Sequence, residues 1–140
     1  MTLAWEHVES GPPSAQCTVL LLPGGMCSAR SYAEVMAEPA LTGLCLVAVT
    51  LPGHAGTPPP ADFSTEEYAR ATAELAKRMH ADVVVGFSMG AMVAYEMVVS
   101  RAFSGQSCCS DPASPRRTNP PRSEQSFVSA RFSGRCRPLS

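Results

Sequence analysis

The sequence predicts an α/β body, a parallel sheet flanked by helices, followed by a disordered tail. Three observations carry this. Apolar runs of strand length recur at residues 17–22, 44–49 and 82–86; segments of helix-forming composition lie between and after them; and beyond Phe103 every periodicity is lost. Strand, helix, strand, helix, strand, helix is the order that winds into a parallel sheet with helices on its faces.

Taken in order, residues 2–9 alternate weakly and predict an edge strand, broken by "GPPS". "CTVLLL" (17–22) is continuously apolar and stopped by "PGG", as expected of a strand buried on both faces. A short helix is predicted over 31–37, ended near Pro39, and "LCLVAV" (44–49) is a second buried strand. "LPGHAGTPPPADFS" is a loop by composition. Ser64 or Thr65, followed by Glu66 and Glu67, signals a helix start, and Ala69, Ala71, Ala73, Leu75 and Ala76 favour a helix to about residue 79. "DVVVG" (82–86) is a third buried strand, and a second long helix is predicted from Met89 to about Ala102.

The 140 residues suffice for one domain with a real core and are too few for two ordinary ones. The net charge of −1 hides an asymmetry. Residues 1–103 carry five Lys/Arg against ten Asp/Glu, whereas residues 104–140 carry six against two. The latter segment holds nine Ser, five Pro and six Arg with scattered apolar residues, too few to offset its ordering entropy, so 104–140 is expected to be disordered. The start lacks a basic region followed by an apolar stretch, so cytoplasmic residence is expected, and no apolar run approaches the ~20 residues of a membrane-spanning helix. Cysteines 17, 27, 45, 108, 109 and 136 show no metal-ligand spacing, and neither a metal nor a cofactor is expected. Cys17 and Cys45 are expected to be small buried hydrophobes.

The chemistry-bearing feature is "VVVGFSMGAMVAYEMVV" (83–99). Gly86-Phe87-Ser88-Met89-Gly90 matches G-x-S-x-G with a strand directly before it and a helix directly after. Such a turn exposes the serine at the carboxyl end of its strand, and the glycines two residues to either side leave room for strand and helix to meet. The helix behind Ser88 offers free N–H groups and a positive dipole end to a developing oxyanion.

On "LLPGGMCSARSY", "VTLPGHAGT" and "VVGFSMGAMVA" the chain resembles the amino-terminal half of an α/β-hydrolase-fold protein, over about residues 15–103. The resemblance implies a partial α/β-hydrolase fold and a serine hydrolase, cleaving an ester or thioester of a small-molecule acyl substrate through an acyl-enzyme. Ser88 would be the nucleophile, with the backbone N–H groups of Met89 and of Gly25, or its neighbour Met26, as oxyanion hole. Pro23 stands where the family usually has His, and Ala55 where it usually has Gly.

The family's order is serine, then acid, then histidine. No histidine follows His80, and Asp111 and Glu124 are the only acids beyond Glu96, so the base and acid of a triad are missing from this chain. Asp82 and His80 precede the serine's strand and belong at the opposite sheet edge, and His7 lies on the edge strand. His54 alone follows the carboxyl end of a strand, and the sheet order that the resemblance implies puts one strand between it and Ser88, about 10 Å at the usual spacing. Two readings of His54 stand: a substitute base, or a residue that orders its loop through a hydrogen bond.

Written as degenerate codons, with serines 107 and 110 taken as TCN, residues 105–112 can be read one base earlier as an apolar string where the family's next strand belongs, which suggests a reading-frame change near Gly105. A sheet ending at the 82–86 strand would leave an apolar edge open to self-association. A catalytically inactive hydrolase fragment is therefore the alternative to the enzyme. Six arginines in the tail, without an aromatic platform, also admit a basic binding segment, but neither nucleic acid nor membrane is the expected partner.

Overall fold

Five strands form one sheet in the order β1-β3-β2-β4-β5 in the computed structural model, which describes residues 5–110. They are β1 (His7–Ser10), β2 (Thr18–Leu22), β3 (Cys45–Val49), β4 (Val83–Phe87) and β5 (Gln106–Ser110). β1 pairs antiparallel with β3, and the other four run parallel. The expected edge strand therefore exists, shifted to His7–Ser10. The carboxyl ends of β2, β3, β4 and β5 share one edge, where the loops that matter for chemistry emerge.

Side chains alternate across the sheet, as a pleated strand requires. Leu20, Leu22, Val47, Val49, Leu51 and Val84 pack on one face against Tyr68 and Leu75 of α2 (Thr65–Arg78) and Val93 and Met97 of α3 (Met89–Val99). Val19, Leu21, Leu46 and Ala48 pack on the other against Ala29, Tyr32 and Met36, under a 3-10 turn (Ala29–Tyr32) that runs into α1 (Ala33–Met36). The predicted helix over 31–37 is thus a 3-10 turn and one α-helical turn. Each fully buried leucine or valine is worth about 1.5–3 kcal/mol of transfer free energy.

α2 begins where its cap dictates. Ser64 Oγ accepts from the Glu67 N–H at 3.3 Å, while the Asp62 carboxylate accepts from the Ser64 N–H and hydroxyl, both at 2.8 Å. Glu66 and Glu67 at its start and Lys77 and Arg78 at its end complement the helix dipole. α3 is apolar nearly all round. Its buried arc holds Val93, Ala94 and Met97, while Met92, Tyr95 and Val99 form a contiguous exposed stripe.

Two expectations are corrected. Residues 106–110, expected to belong to the disordered tail, form β5 beside β4, from Val83↔Gln106 to Phe87↔Ser110. The edge expected to be open on β4 is therefore paired, and the outer edge belongs to β5. The segment "QSCCS" has no hydrophobic pattern. Backbone hydrogen bonding to the free edge of β4 places it, and composition does not register that force. Cys17 and Cys45 are half-buried at the amino ends of their strands, where packing is thinner than in mid-strand. The remainder of the predicted tail, 111–140, lies outside the described residues. No helix among the described residues is long and apolar enough to cross a membrane.

Candidate active site

β4 runs straight into α3 through Ser88, whose backbone stands at φ 53° and ψ −116°. Positive φ is costly for a residue with a Cβ, of the order of 1–3 kcal/mol, and it persists only where the surroundings hold it. The two glycines provide that hold by letting backbones touch. A Cβ on Gly86 would lie 2.6 Å from the Ala91 nitrogen and closer still to the Gly90 carbonyl; one on Gly90 would lie 2.6 Å from the Pro23 oxygen and closer still to the Leu22 oxygen. The Gly90 N–H also donates to the Pro23 oxygen at 3.1 Å, which stitches the start of α3 to the end of β2. A strained seam clamped on both sides leaves Ser88 half-buried at the carboxyl edge.

The loop after β2 lies against this turn. Gly24 approaches Ser88, its Cβ position being 3.6 Å from that of Ser88, and Gly25 approaches the Met89 side chain at 3.7 Å. Three bonds fix the loop from outside. The Ala29 N–H donates to the buried Thr50 hydroxyl at 2.9 Å, the Tyr32 hydroxyl donates to the Leu22 carbonyl at 2.7 Å, and the Met26 N–H donates to His54 Nδ1 at 2.9 Å. Desolvation, with a smaller contribution from the neighbouring Cys27, pushes the Tyr32 hydroxyl up to about 12, so it stays a donor at neutral pH.

The bond to Met26 decides how the expected site residues divide. The Met26 N–H is occupied, so of the two adjacent candidates for an oxyanion donor only that of Gly25 is left, together with that of Met89 at the head of α3. A backbone N–H can only donate, so His54 Nδ1 accepts and the neutral ring carries its proton on Nε2. The ring also lies 6.2 Å from that of Tyr68, whose hydroxyl donates to the Pro52 carbonyl at 2.7 Å. Sequence reasoning gave no sign of Tyr68, Thr50 or Tyr32 as supports of this edge; each reads as an ordinary core residue until its hydroxyl is followed to its partner.

The other histidines lie elsewhere. His7 is on β1 beside Glu9, 3.3 Å away. Asp82, at the opposite edge of the sheet, accepts from the Thr18 N–H at 2.8 Å, and His80 lines a cleft there with Lys77. Ser88 Oγ makes no hydrogen bond among the described residues, nor is there any group of His, Cys, Asp or Glu there that could hold a metal ion. Beside Ser88 opens a cleft of about 600 Å³ lined by Thr65, Glu66, Ala91, Met92, Tyr95 and Glu96.

Residues 19–138 match the model of the alpha/beta hydrolase family. Among solved structures, a probable hydrolytic enzyme from Pseudomonas aeruginosa PAO1 is 27% identical with a TM-score of 0.59, over 71% of this chain and 34% of its own. The N-acyl homoserine lactonase AidH, complexed with N-butanoyl homoserine, is 24% identical with a TM-score of 0.60, over 69% of this chain and 36% of its own. A lipase-esterase related protein from Clostridium acetobutylicum ATCC 824 is 20% identical with a TM-score of 0.57, over 68% and 41%. The last two similarities establish the fold alone. No curated protein matches. The chain spans little more than a third of the length of these structures.

Proposed function

From the premise that this chain belongs to the alpha/beta hydrolase family, we propose that Ser88 is the nucleophile of an ester or thioester hydrolase whose base and acid are not supplied by the described residues. The observation that carries this reading is the backbone of Ser88, held at φ 53° by two glycines that have no room for a Cβ. Strain of this kind gathers at functional sites, and here it falls at the head of α3, where the helix's free N–H groups and positive dipole end favour a developing negative charge.

In the reaction, Ser88 Oγ bonds to the acyl carbon as its proton passes to a base. The carbonyl oxygen takes up negative charge, which the N–H groups of Gly25 and Met89 stabilise. The intermediate collapses by breaking the bond to the alcohol or thiol, which leaves with a proton, and water then cleaves the acyl-serine ester by the same route. Gly25 lies against Met89, its Cβ position 3.7 Å from the Met89 sulfur, and neither N–H has an acceptor among the described residues. His54 is not the base in this reading. To accept the serine proton at Nε2 its ring would have to move its own proton to Nδ1 and give up the bond to Met26.

A second reading follows from the unpartnered hydroxyl: the 140-residue chain is catalytically inactive by itself and acts only where another polypeptide brings a histidine to this edge. One experiment addresses the shared premise. A fluorophosphonate incubated with the folded chain, with imidazole added as an external base, is expected to label Ser88 and to leave the Ser88→Ala variant unlabelled. Label at other residues with none on Ser88 would contradict both readings.

A further inference from the structure

α3 is apolar on its outer side as well as its inner one, and a helix of that kind is normally covered all round. Met92, Tyr95 and Val99 are 60%, 66% and 57% exposed along one stripe. α2 lies beside α3 and runs the same way. The heads of both helices line the cleft beside Ser88, through Glu66 and Met92, and their tails line the cleft at the opposite sheet edge, through Lys77 and Ala102.

Charge is sorted along this pair. Glu66 is in the first turn of α2, and Lys77, three helical turns on, is in the last turn on the same side, about 16 Å away. Of the five Lys/Arg in residues 1–110, three (Lys77, Arg78 and Arg101) stand at the tail end, and a fourth, Arg70, is shared between Glu67 and Glu74. Asp82, an acid at the tail end, accepts from the Thr18 N–H. Glu66, Lys77 and Arg101 are exposed and form no ion pair among the described residues. The outer face of the helix pair thus has an acidic end, an apolar middle and a basic end, a pattern that matches itself after a half-turn.

We propose that this face is the interface of a two-fold dimer in which the α2–α3 pairs of two copies stack antiparallel. With the dyad between Tyr95 and Val99, the stripes of the two copies bury each other, and Glu66 of each copy meets the partner's Lys77 and Arg101. An isologous contact makes every such pair twice. A face two helices wide and about 20 Å long falls short of the ~800 Å² that each partner buries in a standard interface, so the dimer is weak and its end charges fix the orientation. Glu96, next to Tyr95, lies near its own symmetry mate, a repulsion that the end pairs outweigh. The second copy also roofs the cleft beside Ser88, since Glu66, Met92 and Tyr95 line it.

The test is sedimentation velocity of the full chain in reducing buffer at concentrations up to about 1 mM. A monomer–dimer equilibrium is expected. Glu66→Lys and Lys77→Glu, both at exposed positions, are each expected to raise the dissociation constant about tenfold or more, since each sets like charges against one another twice. The double variant, which exchanges the two signs, is expected to associate more tightly than either single one, and Glu96→Gln more tightly than the wild type. A chain that stays monomeric, a dimer indifferent to the single substitutions, or a double variant no tighter than the two single ones would overturn the proposal. None of these readouts depends on the reactivity of Ser88, so their failure would leave the nucleophile assignment standing.

Discussion

His54 Nδ1 accepts a hydrogen bond from the Met26 N–H at 2.9 Å, across 28 residues of sequence. Met26 itself stands at φ 66°, a conformation that a long side chain disfavours, and its side chain is 81% exposed. With its side chain in solvent, Met26 is tied to the neighbouring loop by the histidine ring, one of the three bonds that fix the loop presenting Gly25.

Ordering and catalysis by this ring are separable. Asparagine places Oδ1 near the position of Nδ1 and can accept the same hydrogen bond, whereas alanine cannot. His54→Asn is expected to be near neutral in chemical denaturation and His54→Ala to cost about 1 kcal/mol. Equal losses in both variants would show that the ring's packing on Tyr68, rather than the bond, is what matters.

The glycines of the seam are expected to tolerate no side chain. Gly86→Ala and Gly90→Ala each drive a Cβ into backbone atoms, and each should destabilise by about 3 kcal/mol or more, or yield insoluble protein. Gly43 has no atom within 4 Å of where its Cβ would lie, so Gly43→Ala serves as the neutral control in the same melting series.

Where the backbone is left-handed without a glycine, the opposite substitution should help. Ala55 stands at φ 47° and Ser88 at φ 53°. Ala55→Gly relieves a left-handed conformation that costs about 1–2 kcal/mol and gives back part of that in unfolded-state entropy, for a net gain of about 0.5–1 kcal/mol. Ser88→Gly is expected to stabilise by a similar amount while removing the proposed nucleophile, the trade-off such a role implies. A loss of stability in both would contradict the strain argument.

Alkaline pH should weaken the fold through Tyr32. Its folded pKa is raised, first by burial and second by Cys27, from the ordinary value of 10 to about 12. The neutral form is thus favoured in the folded state, and its contribution is complete below pH 10 and lost as pH rises through about 12. Urea melts at rising pH are expected to show this loss in the wild type, and a smaller one in Tyr32→Phe, which also lacks the bond to the Leu22 carbonyl.

Much of this architecture is legible in the chain. β2, β3 and β4 announce themselves as apolar runs because strands buried on both faces cannot alternate. Ser64 announces α2 because a cap needs a side-chain oxygen at one position, and G-x-S-x-G announces the seam because only glycine has no Cβ to clash. What escapes reading is set by contacts between distant residues. β5 forms from a segment without an apolar pattern, since a free strand edge supplies its partner. The bonds of His54 to Met26 and of Thr50 to Ala29 join loops whose composition says only that they are loops. The two readings of His54 separate only once its acceptor atom is known.

Ser88, in the reading proposed above, is presented as a nucleophile without a base among the described residues. The measurement that tests this most directly is the rate of Ser88 phosphonylation at neutral pH, without added imidazole, in the wild type and in His54→Asn. Slow and equal rates are expected. A general base contributes about 10²–10⁴-fold, so a fast wild-type reaction that falls by ~100-fold or more in His54→Asn would contradict the claim and make His54 the base.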